Sequence, residues 1–341
     1  MKFAQNVRMI LILDNIPDMN QLTKPWLTGL SLVGALLLSS CSSSTTSSST
    51  GVAPVERPKL SIAASFYPIE EIVRSVAGDS VDVFGLTPPG EGAHDLELTA
   101  SQVTRLETAD IVFYIGDGFQ PGVEKVLSSL PSTTKKVDLL QEITVVDVIP
   151  QLEGTEGETD GEVLASGKDP HVWLDPTNMA TMTRSVASVL SSVAGLDADA
   201  IGAAANAYVS ELETLGAEFD AGLANCQSRV LVTSHRAFEY LAQRTNLQQV
   251  AIAGVNPDEE PSAKSLEAIA KFAAANNVST IFFETLLPPD LANVIANEIG
   301  ATTDLLDPIE GFSQEDLDDG ASYVVAQRSN LERLRQGLKC S

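Results

Sequence analysis

Positive charge is scarce in this chain. Lys and Arg number 21 against 46 Asp and Glu, a formal net charge of −25 over 341 residues. Such a surface repels phosphate backbones and anionic headgroups, which argues against nucleic-acid binding; it confers solubility and attracts cations only weakly. Aromatic residues make up 5%, and plentiful Ala, Val, Leu and Ile favour α/β architecture over a β-sandwich. Long apolar runs are also rare. Leu27–Leu38 is one, but a membrane-spanning helix needs about 20 residues. Neither a Gly-x-Ser-x-Gly element nor a His-Glu-x-x-His helix occurs, so two common hydrolase signatures are missing.

Leu27–Leu38 follows Lys24 and ends in Leu38-Ser39-Ser40-Cys41. A short apolar core closed by small residues reads as a secretory signal peptide over residues 1–40. The terminal cysteine resembles a bacterial lipobox, so Cys41 is the expected lipidation site, with an ordinary cleavage nearby as the alternative. Asp14 and Asp18 are out of place where a signal peptide opens on positive charge. Met19 gives a compact start, so residues 1–18 read as a mis-assigned beginning. Residues 41–58, rich in Ser and Thr, cannot bury enough apolar surface to order and are expected to form a tether. With Cys41 lipidated, Cys226 and Cys340 remain. An even pair outside the cytoplasm reads as a disulfide, against the alternative of two free buried thiols.

From Lys59 onward, short apolar runs alternate with amphipathic stretches, the pattern of βα units around parallel sheets. Strands are expected at Leu60–Phe66, Val81–Leu86, Ile111–Ile115 and Lys136–Leu140, then at Val230–Ser234, Val250–Val255, Thr280–Glu284 and Thr303–Leu306. Two sets of four imply an N-terminal lobe over 59–196 and a C-terminal lobe over 227–341. Between them, Ile201, Ala205, Tyr208, Leu212, Leu215, Phe219 and Leu223 recur in steps of three and four, predicting one long linking helix within 197–226. Asp197 or Asp199 is its expected cap, and Gly202, Gly216 and Gly222 its expected close-packing points. A stiff spine permits only small lobe movements, so conformational change is expected in a loop, around His171 beside the Gln151–Lys168 stretch. The stretch Gln151–Lys168 carries five acidic residues, four glycines and no histidine. It reads as an acidic solvent loop ahead of a metal-gathering or chaperone-contact one.

Histidine occurs three times, as His94, His171 and His235. Each stands where an apolar β-type segment gives way to a loop or helix, the edge at which open α/β sheets bind ligands. Their separations are far too long for a short metal loop, so the fold must gather them. Asp307, in Leu306-Asp307-Pro308 after the last expected strand, is the fourth candidate. Three imidazoles and one carboxylate suit tetrahedral Zn²⁺, whereas manganese prefers more oxygen donors.

The stretches Gly92-Ala-His94-Asp-Leu-Glu-Leu-Thr, Asp169-Pro-His171-Val-Trp-Leu-Asp-Pro, Thr233-Ser-His235-Arg-Ala-Phe-Glu-Tyr and Leu306-Asp307-Pro308 carry a resemblance. From about Leu60 to Cys340 the chain resembles the substrate-binding lipoproteins of bacterial zinc and manganese ABC transporters. The resemblance implies two lobes, each a four-stranded parallel sheet with helices, joined by one rigid helix. It implies His94, His171, His235 and Asp307 as ligands, and Glu284 in Phe282-Phe283-Glu284-Thr285 as an acid behind them. Histidine at the third position implies zinc. The expected function is extracytoplasmic capture of Zn²⁺ by a monomeric, lipid-anchored protein, and delivery to an ABC-transporter permease. A manganese or iron carrier is the alternative within that class. A zinc hydrolase with Glu284 as general base is a competing reading, disfavoured because a fourth protein ligand closes the position that water needs. An adhesin role would leave the histidines unexplained.

Overall fold

The computed structural model describes residues 59–148, 152, 165–257, 261–286 and 288–341. The signal peptide, Cys41, the tether and most of the acidic 151–168 stretch lie outside the described residues.

The first sheet holds β1 (Leu60–Ala64), β2 (Val81–Gly85), β3 (Ile111–Tyr114) and β4 (Lys135–Asp138), in the order β2-β1-β3-β4 and all parallel. The second repeats that order with β5 (Val230–Thr233), β6 (Gln248–Ala251), β7 (Thr280–Phe283) and β8 (Thr302–Leu305) as β6-β5-β7-β8. The chain is therefore α/β, with two parallel four-stranded sheets. Central strands are apolar on both sides, because helices cover both faces of a parallel sheet. Ile62, Ala64, Ile111 and Phe113 face one core while Ala63 and Val112 face another. In the second sheet Leu231 and Phe282 face the first of these cores, and Val230, Val232 and Ile281 face a separate one on the other side of the sheet.

The helices of the first half are α1 (Tyr67–Ala77), α2 (Ala100–Glu107), α3 (Pro121–Ser129) and α4 (Pro176–Ser191). The linking helix α5 (Ala198–Gly222) is capped by Asp197, which accepts from the backbone N–H of Asp199 and Ala200. All seven positions of its apolar stripe are buried. A Cβ on Gly216 or Gly222 would press on Arg244 or Leu331, but one on Gly202 would meet nothing, so close packing explains only two of the three glycines. The second half adds α6 (Glu239–Thr245), α7 (Ala263–Ala275), α8 (Asp290–Ile299), α9 (Gln314–Asp318) and α10 (Tyr323–Gly337).

Besides the linking helix, the sequence predicts helices at Glu70–Val76, Ser101–Thr108, Ala237–Arg244, Ala263–Ala275, Asp290–Ile299 and Tyr323–Leu338; the structure adds α3, α4 and α9. Helices α3 and α4 open on proline, which suits a first helical turn, and the buried face of α4 includes Met179, Met182, Val186 and Leu190. Strand β6 starts two residues before its expected position, because the Gln248 N–H donates to the Arg229 carbonyl and sets the register with β5. One continuous core runs from Ile62 and Phe66 through α4 and α5 to Phe238, Phe282 and Tyr323. The two sheets thus share a hydrophobic interior, and Arg57–Ser341 form one compact unit.

Candidate metal centre

His235 follows β5 and Glu284 follows β7, neighbouring strands on either side of the point where the strand order reverses. Chain ends diverge there and leave a crevice. Glu284 Oε1 accepts from the backbone N–H of His235 at 2.9 Å, and its Oε2 lies 2.6 Å from His235 Nδ1. Asp169 treats His171 in the same way: its Oδ1 accepts from the His171 backbone at 2.8 Å and lies 2.9 Å from Nδ1. A carboxylate can only accept, so both Nδ1 atoms carry hydrogen and both Nε2 atoms turn inward. A single 3₁₀ turn, Val172–Leu174, follows His171 and buries Trp173 completely. His94 sits in the irregular segment between β2 and α2, with its ring edge-on to Phe119 at 5.1 Å. Beside it, Gln120 Nε2 donates to the Ala93 carbonyl at 2.9 Å.

The three histidines converge. His171 Nε2 lies 3.2 Å from His94 Nε2 and 3.2 Å from His235 Nε2. The carboxylate that joins them is Glu310. Its Oε1 lies 3.2 Å from His94 Nε2, 3.4 Å from His235 Nε2 and 3.8 Å from His171 Nε2. Zinc–ligand bonds of about 2.0–2.1 Å make the edges of a tetrahedron about 3.3 Å. The donor atoms of His94, His171, His235 and Glu310 therefore stand at the corners of a site of zinc dimensions, and all four residues are buried.

Asp307, the expected fourth ligand, is not in that cluster. Its Oδ1 accepts from the Ile309 backbone at 2.7 Å and from Thr285 Oγ1 at 3.4 Å. Asn330 clasps its main chain, donating to the carbonyl at 2.7 Å and accepting from the N–H at 2.9 Å. The carboxyl is spent on a turn. Ile309 takes φ of +55°, a left-handed conformation that costs a β-branched residue about 1–3 kcal/mol. The Asp307 carboxylate and the Trp173 indole, which donates to the Pro308 carbonyl at 2.8 Å, hold that turn. Its consequence is to swing Glu310, three residues further on, toward the histidines. Glu310 had one sequence signal: it stands among Ile309, Gly311 and Phe312, where a lone carboxylate needs a partner.

The charges agree with the geometry. Burial acts to raise Glu310, but His94 and His235 outweigh it and hold the carboxyl well below its usual range. Burial acts to lower His235, yet Glu284 and Glu310 push it up to about 10. His171 is lowered by burial despite the attraction of Asp169. Asp307 is pushed up to about 6 by burial, reinforced by Glu310 and Glu284.

The remaining pair is Cys226 and Cys340. They face each other through an isolated antiparallel bridge, 114 residues apart in sequence, with their sulfurs at bonding distance. Among the described residues no helix is long and apolar enough to cross a membrane.

A family model described as zinc-uptake complex component A, periplasmic (ZnuA) matches residues 62–337. The zinc-binding lipoprotein AdcA of Streptococcus pneumoniae is 34% identical over 280 residues, covering 82% of this chain and 56% of AdcA. The chain thus spans little more than half the length of that relative. The high-affinity zinc uptake system protein ZnuA of Bacillus subtilis is 30% identical over 329 residues, covering 92% of this chain and 98% of the other. Among solved structures, the Zn(II)-bound ZnuA-like domain of S. pneumoniae AdcA superimposes with a TM-score of 0.68 at 31% identity, covering 82% of this chain and 99% of that one. The laminin-binding protein Lmb of Streptococcus agalactiae, described as a bifunctional adhesin and metal transporter, gives 0.71 at 28% identity over 82% of this chain and 99% of its own. With the match running across both sheets and through all three histidine motifs, the chain belongs to the ZnuA family, the periplasmic component A of zinc-uptake complexes.

Proposed function

We propose that this protein captures Zn²⁺ outside the cytoplasm and delivers it to the membrane permease of an ABC transporter. One observation carries the reading: four buried donor atoms, three imidazole nitrogens and one carboxylate oxygen, are spaced at 3.2–3.8 Å along five of the six edges. Two Nε2 lone pairs facing each other repel unless a proton or a metal cation lies between them. The N₃O set suits Zn²⁺ over Mn²⁺ or Fe²⁺, which favour more oxygen. All four positions of a tetrahedron have a protein donor, so no place remains for the water that a zinc hydrolase activates. His94, His171, His235 and Glu310 are the ligands in this reading, with Asp169 and Glu284 orienting two of the rings. Zinc is cargo here, not a catalytic cofactor.

The deciding measurement is metal analysis of protein purified without chelator, followed by competition titration against zinc and manganese. One equivalent of tightly held zinc that excess manganese fails to displace is the expected result. Substoichiometric metal readily exchanged for manganese would move the assignment to the runner-up cargo. Attachment of a monomer through lipid on Cys41, after removal of residues 1–40, completes the proposal. Cys41→Ala should then shift the protein from the membrane fraction to the soluble one. We also assign a disulfide to Cys226 and Cys340, and neither thiol should alkylate until a reductant is added.

A further inference from the structure

His171 belongs by chain order to the first lobe, yet the groups that hold its segment come from the second. Tyr240 Oη donates to the Asp169 carbonyl at 2.7 Å and accepts from the Val146 N–H at 3.2 Å. Four residues further along α6, Arg244 donates to Asp175 Oδ1 at 3.1 Å and to Thr177 Oγ1. Its remaining N–H groups grip Asp220 of α5 at 2.9 and 2.8 Å, and Gly216 leaves the space that the guanidinium fills. Residues four apart share a helix face, so one short helix, starting four residues after His235, touches the His171 segment on both sides. Between those contacts, the Asp169 carboxylate holds both nitrogens of His171 that do not face the centre.

We propose that Tyr240 and Arg244 are positioning residues for His171, and that through them the helix following His235 keeps the two imidazoles at zinc spacing before the ion arrives. Tyr240 acts through the main chain of Asp169, the residue whose carboxylate aims the ring. Arg244 acts through Asp175, which accepts from the Thr177 N–H and caps α4. The segment is therefore pinned upstream and downstream of the ligand. That arrangement runs against the expectation of conformational change around His171. The inference rests on the zinc-binding reading and extends it to two residues that touch no ligand atom.

The test compares purified full-chain protein with Tyr240→Phe, Arg244→Gln, Arg244→Lys and the double variant Tyr240→Phe/Arg244→Gln. Arg328→Gln, which removes an exposed ion pair to Glu218 on α5, is the control. Zinc dissociation constants come from chelator competition, and the visible spectrum of the Co²⁺-loaded protein reports coordination geometry. Tyr240→Phe and Arg244→Gln should each weaken zinc about 10-fold, as loss of groups behind a metal ligand does, and each should alter the Co²⁺ bands. The double variant should lose less than the product of the two, because both act through one segment. Arg244→Lys should recover part of the affinity, and Arg328→Gln should change neither readout. Variants that unfold at lower temperature while keeping wild-type zinc affinity and Co²⁺ spectrum would overturn the proposal, since they would show a structural role alone. If Arg244→Gln fails to fold, Tyr240→Phe decides the matter, because it removes only a hydroxyl. Wild-type protein that bound no zinc would overturn the functional reading and this inference with it; tight wild-type binding with unaffected variants would overturn this inference only.

Discussion

Two carboxylates three residues apart divide the work at the end of β8. Glu310 meets the histidines, while Asp307 steadies the left-handed residue that brings Glu310 there. Their substitutions should separate accordingly. Glu310→Ala should weaken zinc by more than roughly 100-fold, beyond what losing an outer hydrogen-bond partner does, and Asp307→Asn by less than about 10-fold. Competition titrations of both variants would check this, and equal losses would mean that Asp307 ligates after all. His235 gives a second prediction. It must be deprotonated to ligate, and in the metal-free protein its partners push it to about 10 from 6.5. Zinc binding at pH 7.5 should therefore release close to one proton, measurable by calorimetry in buffers of different ionisation enthalpy. The same shift has a stability consequence. The folded value lies above the unfolded one, so the contribution is full below 6.5 and lost as pH rises toward about 10. The unfolding midpoint of metal-free protein should fall across that window, and His235→Gln should remove this part of the fall.

At the scale of elements, α10 shows why a helix can be placed by its neighbours. A Cβ added at Gly337 would lie 2.5 Å from Phe282 Cζ and 3.2 Å from the Thr280 side chain. Both belong to β7, and the Phe282 ring is fully buried. Gly337→Ala should lower stability by about 1–3 kcal/mol through overpacking, read as a reduced urea midpoint with an unchanged slope. Its effect reaches the site indirectly, because Tyr323 and Gln327 of the same helix donate to the Trp173 and Leu174 carbonyls just after His171. The stripe of α5 was legible because large apolar residues recur at helical spacing over 25 residues. Helix α4 offered a comparable stripe in Met179, Met182, Val186 and Leu190, interrupted by buried Ala180, Thr183 and Ala187. Short hydrophobic strands were readable in number and order, but their ends moved where backbone hydrogen bonds set the register.

Over the whole molecule, the proposed zinc site and the proposed disulfide each carry a stability prediction. Free zinc at about 1,000 times the dissociation constant should add about 4 kcal/mol by mass action. Chelator should therefore lower the unfolding midpoint measurably at pH 7.5, and no change would count against the site as a whole. The proposed Cys226–Cys340 disulfide would join residues 114 apart, at the end of α5 and just after α10. In the chain-entropy account a loop of that size contributes roughly 4–5 kcal/mol. Reduction should lower the midpoint by a comparable amount in the presence and absence of zinc, because the link lies outside the ligand segments.

The two-sheet α/β plan, the linking helix and the three histidines were determined by the sequence itself, since periodicity and rare residue types are local and survive translation into structure. Which carboxylate completes the proposed ligand set was decided only by tertiary structure. Asp307 and Glu310 lie in one short stretch, and periodicity does not tell which carboxyl turns inward. That depends on Ile309 being held at positive φ by a carboxylate from one side, an indole from the other and an asparagine on α10. The partners come from residues 173, 307 and 330, far apart in the chain, and only the folded chain assembles them. The same holds for Tyr240 and Arg244, ordinary helix residues in sequence, whose contacts with the His171 segment exist because elements of both sheets pack on one core.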